Sequence, residues 1–369
     1  MKILLVGPYK QDDHYSIPAF VSTLRLGLQS SQITIDECSP PATKLGGLLK
    51  PILGRRSAFF DKFFLFPRRL RALSKSYDCV HICEHGYSLY TKHLKSKPHL
   101  VTCHDLIVAK AACGEIDGWP LSNLAKQYQN AILKGLSESQ HVVAVSQITL
   151  DDVVRLASVS PKRISLIYNG FYREVSKMET ASAQSSVARL GVPTDRPWLL
   201  HVGGSQPNKN KTGVVKIFAE VIKDSSFGNL DLVLAGSPPS SELRQTIGTL
   251  LPSNRVHLID RPSDTEIQAL YTLAKALLYP SLFEGFGLPI IEAQACGTPV
   301  FTTNRPPMTE AGGHAAIYLD PDDIEAAAKI VSEALPTIDE FIPKGFENTR
   351  RFSSQAMCHH YLDLYRQLV

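Results

Sequence analysis

The stretch SLFEGFGLPIIEAQACGTPV, residues 281–300, predicts the local structure around which the chain is organised. Its pattern indicates a buried strand that ends near Ser281, then a loop with glycines, then a helix. We expect this helix to begin at Leu288 or Pro289 and to stop at Gly297, because proline suits the first turn of a helix and glycine suits the residue just past its end.

Two carboxylates flank this turn. Glu284 lies on the loop in front of the helix, and Glu292 lies about one turn inside it. Backbone N–H groups at a helix N-terminus have no partner within the helix and attract anions; here they belong to Phe286, Gly287 and Leu288. Carboxylates accept hydrogen bonds from sugar hydroxyls, so the turn suits a ligand with many hydroxyls and a diphosphate. The simpler alternative is a pair of surface glutamates on an ordinary strand, loop and helix.

The residues around the two glutamates resemble those of a known family. The pair brackets GFGLP, residues 285–289, and is followed by EAQACGTPV at 292–300. In this motif the chain resembles the retaining glycosyltransferases of family 4, which have the GT-B fold. The resemblance implies that Glu284 contacts the donor sugar and that Glu292 contacts the ribose of the nucleotide.

The rest of the chain predicts two domains of one architecture. Its 369 residues are too many for one typical core. Short β-rich apolar runs alternate with helical patterns, which is typical of a parallel sheet with helices on both faces. The family resemblance implies that this α/β fold is of the GT-B type, with two Rossmann-like domains facing a central cleft. The parts that it implies are an acceptor-binding domain (1–180), a nucleotide-sugar-binding domain (181–345) and a terminal helix that returns to the first domain (346–369).

The N-terminus and the cysteines indicate the compartment. MKILLVG, residues 1–7, predicts a first strand instead of a signal peptide, because polar residues follow it at once. No apolar run approaches the 18 residues of a membrane span. The seven cysteines form no CxxC pair and are expected to be reduced thiols. We therefore expect a cytoplasmic protein.

Residues 41–75 are unusually basic and rich in phenylalanine. Nine lysines or arginines stand against one acid, Asp61. Such a segment can lie on an anionic membrane, so the sequence predicts a peripheral place on the inner face of the plasma membrane, or contact with an acidic acceptor. The alternative is that the phenylalanines pack into the first domain and the cations are solvated. Nucleic acid is not predicted as a partner, because no binding motif surrounds the segment.

A lysine after another strand completes the predicted donor site. In HVGGSQPNKNKTGVV, residues 201–215, the resemblance implies that Lys209 meets the diphosphate, with Asn208 in the place of the usual arginine. A cation there would neutralise charge on the departing nucleotide. Gly204 stands where many relatives have a second arginine, which leaves phosphate binding to Lys209 and to backbone amides. The predicted donor-binding turn is Gly203, Gly204 and Ser205.

Polar residues follow two strands of the first domain. His104 and Asp105 close the strand HLVTCHD, and the resemblance implies that His104 contacts the donor sugar while Asp105 orients a loop or meets the acceptor. In HICEHGYSLY, residues 81–90, His85 and Tyr87 are predicted to contact the acceptor. No metal is predicted, because we expect His81 and His85 to lie four apart on one strand, too far apart to hold one ion easily.

Two further positions match the family near the predicted cleft. They are Ser146, which equally suits a helix cap, and Asn169 before a glycine, which equally suits a turn. Asn169 is assigned to the donor.

The resemblance implies a retaining, metal-independent hexosyltransferase of the bacterial polysaccharide or lipopolysaccharide type. Its donor would be a UDP- or GDP-hexose, with no other cofactor, and its acceptor a hydroxyl of a glycan or of a lipid-linked molecule. The residues assigned to catalysis are His104, Lys209 and Glu284. Two alternatives stay open: a sugar-nucleotide epimerase of the same fold, and a nucleotide-sugar-binding scaffold without turnover, which Gly204 suggests.

Overall fold

The computed structural model describes residues 1–9, 16–29, 32–41 and 61–369. These residues form two compact units: one combines 1–173 with 353–369, and the other is 174–352. The breaks therefore fall after residues 173 and 352, where the sequence had suggested 180 and 345.

The first unit is built on a parallel sheet of six strands in the order β2-β1-β3-β4-β5-β6. Its strands are β1 (Lys2–Val6), β2 (Thr34–Cys38), β3 (Cys79–Ile82), β4 (His99–Cys103), β5 (His141–Ala144) and β6 (Ile164–Leu166). Almost every residue of β1, β3, β4 and β5 is buried. Strands covered on both faces need continuous apolar runs, and these are the runs seen in the sequence.

Helices cover both faces of this sheet. They are α1 (Ser16–Leu28), α2 (Phe66–Leu73), α3 (Ile107–Ala112), α4 (Asn123–Glu138), α5 (Gln147–Ala157) and, after the second unit, α14 (Ser354–Leu368). The predicted terminal helix is thus α14, and it begins after the cap residue Ser353, whose side chain accepts from the backbone N–H of Ala356.

The terminal helix α14 packs on the first sheet through an apolar stripe. Met357, Tyr361 and Leu364 are buried and join α1, β1 and β3 in one core. Two of its hydroxyls also make buried hydrogen bonds with the sheet. Tyr365 Oη lies 2.7 Å from His81 Nδ1, and Tyr361 Oη lies 2.9 Å from the hydroxyl of Thr102.

The second unit carries another six-stranded parallel sheet, in the order β12-β11-β10-β7-β8-β9. Its strands are β7 (Trp198–Gly203), β8 (Asp231–Gly236), β9 (Val256–Asp260), β10 (Ala276–Tyr279), β11 (Val300–Thr303) and β12 (Ala316–Leu319). This is the strand order of dinucleotide-binding folds, in which the order reverses between the first and fourth strands. A ligand crevice is expected where the carboxyl ends of β7 and β10 meet.

The helices of the second unit are α6 (Thr180–Arg189), α7 (Lys211–Val221), α8 (Ser241–Leu250), α9 (Asp264–Leu273), α10 (Leu288–Ala295), α11 (Met308–Gly312), α12 (Ile324–Ala334) and α13 (Phe341–Thr349). The bounds of α10 confirm the prediction. Pro289 lies in its first turn, and Gly297 follows its end with φ of 79°, a left-handed conformation that favours glycine.

The basic segment 41–75 lies partly outside the described residues, since 42–60 are not among them. In the described part, α2 buries Phe66 and Leu70 in the core of the first unit and exposes three arginines (Arg68, Arg69, Arg71). Phe64, just before α2, is half exposed, with 50% of its surface open to solvent. No helix in the described ranges is long and apolar enough to cross a bilayer.

Candidate active site

The carboxyl edge of the second sheet holds a cluster of three polar side chains. Lys209 Nζ lies 2.8 Å from both carboxylate oxygens of Glu284 and 3.0 Å from Tyr279 Oη. Tyr279 Oη in turn lies 2.6 Å from Glu284 Oε1. Tyr279 ends β10, and Lys209 ends a short 3₁₀ helix that follows β7. The strand-order reversal therefore brings together a cation and a carboxylate that the sequence assigned to one site.

The electrostatics of the cluster fix the protonation states of Lys209 and Tyr279. Burial lowers the pKa of Lys209, but the neighbouring Glu284 carboxylate and Tyr279 outweigh it and raise that pKa above its usual range. Burial and the Glu284 carboxylate raise the pKa of Tyr279 well above its usual value. The lysine is therefore charged and the tyrosine is protonated across the physiological pH range. Tyr279 is a residue that sequence reasoning missed.

Asparagines fix the two loops that carry the cluster. Asn208 is buried; its side chain donates to the carbonyl of Phe283 at 2.7 Å, and its own carbonyl accepts from the backbone N–H of Leu282 at 2.8 Å. Asn210 donates to the carbonyl of Pro280 at 3.0 Å. The residue that replaces the family's arginine thus ties the lysine loop to the glutamate loop.

Glu292 lies inside α10, where only 8% of its surface is exposed. The hydroxyl of Tyr271, from α9, donates to its Oε2 at 3.2 Å. Gly287 caps the helix with φ of 108° and offers no side chain to the first turn, so Leu288 starts a helix end that is open to an anion. The Phe286 ring is buried and packs edge-on against Phe352, so its part in the predicted anion site is limited to its backbone.

The glycines at the end of β7 leave space for the backbone to lie close to the cluster of Lys209, Glu284 and Tyr279. A Cβ on Gly203 would lie 3.0 Å from His201 Nε2 and 3.4 Å from the Lys209 side chain, and one on Gly204 would clash with Gln206. Ser205 is exposed beside them. Beneath the turn, the fully buried His201 donates from Nδ1 to the carbonyl of Leu278 at 3.0 Å, and burial lowers its pKa to about 3.

The carboxyl edge of the first sheet holds a second charged pair. His85 Nδ1 lies 2.9 Å from Glu84 Oε1, which also accepts from the backbone N–H of Gly86 at 3.0 Å. Burial opposes the charge on His85, but the Glu84 carboxylate outweighs it and raises the pKa of His85 to about 9. Glu84 is a further residue that sequence reasoning did not assign to the site.

His104 and Asp105 lie at the same edge, after β4. His104 Nε2 donates to the carbonyl of Cys83 at 2.9 Å, which leaves Nδ1 as the nitrogen able to accept a proton from a ligand hydroxyl. Burial lowers the pKa of His104. Asp105 accepts from the backbone N–H of Ile107 at 3.0 Å and so orients its loop, one of the two roles expected for it.

The expectation that His81 and His85 share one strand is wrong. β3 ends at Ile82, and His85 begins a 3₁₀ helix. His81 is fully buried, with its ring nitrogens bound to the hydroxyls of Tyr365 and Thr102, both at 2.7 Å. It therefore anchors the terminal helix and is not available to a ligand.

Of three other predicted positions, Tyr87 and Ser146 form hydrogen bonds within the protein, and the side-chain oxygen of Asn169 forms none with the described residues. Tyr87 is buried, and its hydroxyl accepts from the backbone N–H of Tyr9 at 2.9 Å. Ser146 caps α5, as its alternative role predicted. Asn169 is buried next to Gly170, and its Oδ1 has no hydrogen-bond partner in the described part of the protein.

In the described ranges, no group of three or more His, Cys, Asp or Glu side chains converges on one point. The seven cysteines are all free thiols, and only Cys113 is exposed.

Two family models match the chain. Residues 37–174 match the model described as Glycosyltransferase Family 4, and residues 183–338 match the one described as Glycosyl transferases group 1. Together the two models span most of the chain, one in each unit.

Curated relatives are similar over a large part of the sequence. The O-antigen chain mannosyltransferase RfbU of Salmonella typhimurium is 31% identical over 60% of this chain and 60% of its own length. The O-antigen chain mannosyltransferase B of Escherichia coli is 23% identical over 78% and 74%. The D-inositol 3-phosphate glycosyltransferase of Corynebacterium glutamicum is 25% identical over 74% and 67%.

Solved structures match the whole fold. The Anabaena protein HepE, in complex with UDP and glucose, matches with a TM-score of 0.75 at 16% identity and covers 100% of both chains. WaaG, a glycosyltransferase involved in lipopolysaccharide biosynthesis, matches with a TM-score of 0.73 at 14% identity over 99% of both chains. With the two parallel six-stranded sheets, these matches confirm the predicted GT-B fold.

Proposed function

Since the chain belongs to the glycosyltransferases of family 4 and group 1, we propose that it transfers a hexose from a nucleoside diphosphate sugar to a hydroxyl group. The observation that carries the proposal is the cluster of Lys209, Glu284 and Tyr279 at the strand-order reversal of the second sheet. A diphosphate fits the lysine and the open helix end, and a sugar fits the carboxylate.

The donor would lie along the carboxyl edge of the second unit. Lys209 and the first turn of α10 would hold the diphosphate, Glu284 the sugar and Glu292 the ribose, with the turn of Gly203 and Gly204 allowing the nucleotide to approach the backbone. HepE is a protein of this fold that was solved with UDP and glucose, which supports a nucleotide sugar as the donor class.

The proposed reaction retains the configuration of the sugar and proceeds from one face. The bond from the anomeric carbon to the diphosphate oxygen breaks, the bond to the acceptor oxygen forms, and the acceptor proton passes to the departing diphosphate. Lys209 stabilises the negative charge that develops on the leaving group. His104 Nδ1 would accept a hydrogen bond from a sugar hydroxyl. The proposed reaction needs no bound metal ion.

The acceptor would be a hydroxyl of a glycan or of a lipid-linked molecule, bound by the first unit. The relatives named as O-antigen chain mannosyltransferases support a polysaccharide acceptor. The charged pair of Glu84 and His85, with Asp105, offers both donors and acceptors for hydroxyls. Asn169 Oδ1 is buried without a partner in the described residues, and we propose that it accepts a hydrogen bond from a hydroxyl of the nucleotide sugar. Tyr87 is proposed to support this edge from within the core.

A peripheral membrane contact is part of the proposal. In the described part of segment 41–75, the exposed Arg68, Arg69 and Arg71 stand beside the half-exposed Phe64, a combination that suits the surface of an anionic bilayer.

The test is a panel of UDP and GDP sugars, with and without polysaccharide and lipid-linked acceptors, followed by product analysis in the presence and absence of a chelator. We expect transfer with retained configuration and no loss of rate in the chelator. Conversion of the nucleotide sugar without any acceptor would indicate an epimerase, and binding without donor hydrolysis above background would indicate a scaffold. Either result would overturn the proposal.

A further inference from the structure

Each of the two motif glutamates receives a hydrogen bond from a buried tyrosine. Tyr279 Oη lies 2.6 Å from Glu284 Oε1, and Tyr271 donates to Glu292 Oε2 at 3.2 Å. Both tyrosines are 0% exposed. They come from different elements, since Tyr271 lies in α9 and Tyr279 ends β10. Two acids of one candidate site therefore share one kind of support from the interior.

The ring of Tyr279 is held in place independently of the glutamate. It stacks on His201, with 5.8 Å between ring centroids and 25° between planes. His201 is itself fixed by its hydrogen bond to the carbonyl of Leu278. The hydroxyl position is thus set by the sheet and does not depend on what Lys209 or Glu284 binds.

The direction of the hydrogen bonds around Tyr279 follows from their donors. The Lys209 ammonium can only donate, so it donates to Tyr279 Oη at 3.0 Å. The hydroxyl proton is then directed to Glu284, whose ionised carboxylate can only accept. Glu284 therefore has two donors, Lys209 and Tyr279.

A diphosphate would compete with Glu284 for the lysine. The side chains of Lys209 and Glu284 are only 20% and 9% exposed, and together they carry no net charge. An anion that draws the ammonium away would leave a nearly buried carboxylate without its cation, which is costly unless another donor stays with it. Tyr279 is the donor that can stay.

We propose that Tyr279 and Tyr271 are positioning residues for Glu284 and Glu292, an inference that rests on the proposed roles of these two acids. Tyr279 retains Glu284 in place while Lys209 turns to the donor's diphosphate. Tyr271 holds Glu292 toward the ribose, away from the bond that breaks. The two hydroxyls therefore affect different kinetic constants.

The test compares Tyr279→Phe and Tyr271→Phe in the full chain. Each change removes one hydroxyl and keeps the ring. We expect Tyr279→Phe to lower kcat about tenfold, since one hydrogen bond to a charged group is lost, and Tyr271→Phe to raise the KM for the donor about fivefold with kcat retained. The matched control is Tyr77→Phe in the first unit, whose hydroxyl donates to Asp36, and it should change neither constant. Unchanged constants in both test variants would overturn the proposal.

A double-mutant cycle separates positioning from a general structural effect. In a Glu284→Gln background, Tyr279→Phe should cause little further loss of kcat, because the tyrosine acts through the glutamate. Full additivity of the two losses would contradict the proposal. If Glu284→Gln and Glu292→Gln alone leave turnover intact, the proposed function fails instead, so the two failures are distinguishable.

A spectroscopic measurement keeps the proposal testable if Tyr279→Phe does not fold. 3-Fluorotyrosine at position 279 keeps the ring and the hydroxyl, and its ¹⁹F resonance reports the contacts of Oη. We expect the resonance to move on saturation with UDP or GDP, because Lys209 leaves the hydroxyl. A resonance that does not move at saturation would show that the lysine stays and would overturn the proposal.

Discussion

The two sheets carry different ion pairs at their carboxyl edges. In the second unit, Lys209 and Glu284 are 75 residues apart and meet only through the fold. In the first unit, Glu84 and His85 are neighbours in the sequence and meet through a local turn. The lysine keeps its charge at physiological pH, because its pKa is raised, whereas His85, with a pKa raised to about 9, loses its charge in alkaline solution. The comparison teaches that one edge offers a fixed cation and the other a titratable one.

The largest effect is expected from removing the fixed cation. Lys209→Ala should lower kcat by about 100-fold to 1,000-fold, roughly 3–4 kcal/mol, because charge on the leaving diphosphate is no longer neutralised. Steady-state kinetics with the active nucleotide sugar measures it. The matched control is Lys216→Ala on the exposed face of α7, which should keep full activity. Equal activity of the two variants would remove Lys209 from the mechanism.

Removing the acid of the first pair should alter both charge and stability. In Glu84→Gln the pKa of His85 should fall from about 9, because the carboxylate that raised it is gone and burial remains. A raised pKa stabilises the folded state below the ordinary histidine value, and this contribution is lost as pH rises through about 9. The variant should therefore be about 2 kcal/mol less stable than the wild type at pH 6, with a smaller gap at pH 9.5.

Urea unfolding at the two pH values and NMR titration of His85 test this prediction. Glu115→Gln is the matched control in the same unit, because Glu115 pairs with Arg155 at the surface and such pairs contribute little. A gap between Glu84→Gln and wild type that widens with pH would contradict the account.

Buried neutral histidines should make both units sensitive to acid to a similar degree. His81 in the first unit and His201 in the second have pKa values lowered to about 3 by burial. A lowered pKa means that the unfolded chain binds the proton first, so stability falls as pH drops below about 6.5, by about 1.4 kcal/mol per pH unit for each histidine. Between pH 6.5 and 5, the free energy of unfolding should therefore fall by about 2 kcal/mol less in His81→Gln than in the wild type.

His201→Gln should likewise make the stability of the second unit depend less on pH between 6.5 and 5. Thermal and urea unfolding that report each unit separately check both variants. If the free energy of unfolding changes with pH equally in the wild type and in both variants, the histidines are not buried as neutral groups.

A smaller effect is expected from removing Glu292, the acid proposed to bind the ribose. Glu292→Ala should raise the KM for the donor about tenfold with little change in kcat, because the ribose is remote from the bond that breaks. Calorimetric binding of the nucleoside diphosphate alone should weaken to the same degree. Glu220→Ala, at a surface pair with Lys223, is the control. A loss of kcat without a change in affinity would reverse the roles of the two glutamates.

The smallest effect concerns the described part of the basic segment. Arg68→Ala should weaken binding to vesicles of anionic phospholipid about fivefold, since one cation near a charged bilayer contributes about 1 kcal/mol. Arg244→Ala, an exposed arginine of the second unit, is the control. Cosedimentation that is the same with anionic and neutral vesicles would remove the membrane from the proposal.

The sequence predicted the secondary-structure elements well where the signals were local. The turn between β10 and α10 was readable because Pro289 and Gly297 mark the two ends of a helix by their backbone preferences. The alternation of apolar runs and helical patterns likewise predicted parallel sheets.

The parts that sequence could not predict depend on contacts between distant residues. The hydrogen bond from Tyr279 to Glu284 depends on how the loop folds back after the strand, and the contact of His81 with Tyr365 spans 284 positions. His85 was placed on a strand because apolar and polar residues continue past Ile82 without a turn signal. The chain nevertheless leaves the sheet there, and Glu84 caps the 3₁₀ helix that follows.

A crystal structure of the protein with a bound nucleoside diphosphate sugar tests the central claim most directly. The account predicts the diphosphate within hydrogen-bond reach of Lys209 and of the first turn of α10, the sugar on Glu284 and the ribose on Glu292. A nucleotide bound elsewhere, with the pair of Lys209 and Glu284 left intact and uncontacted, would contradict it.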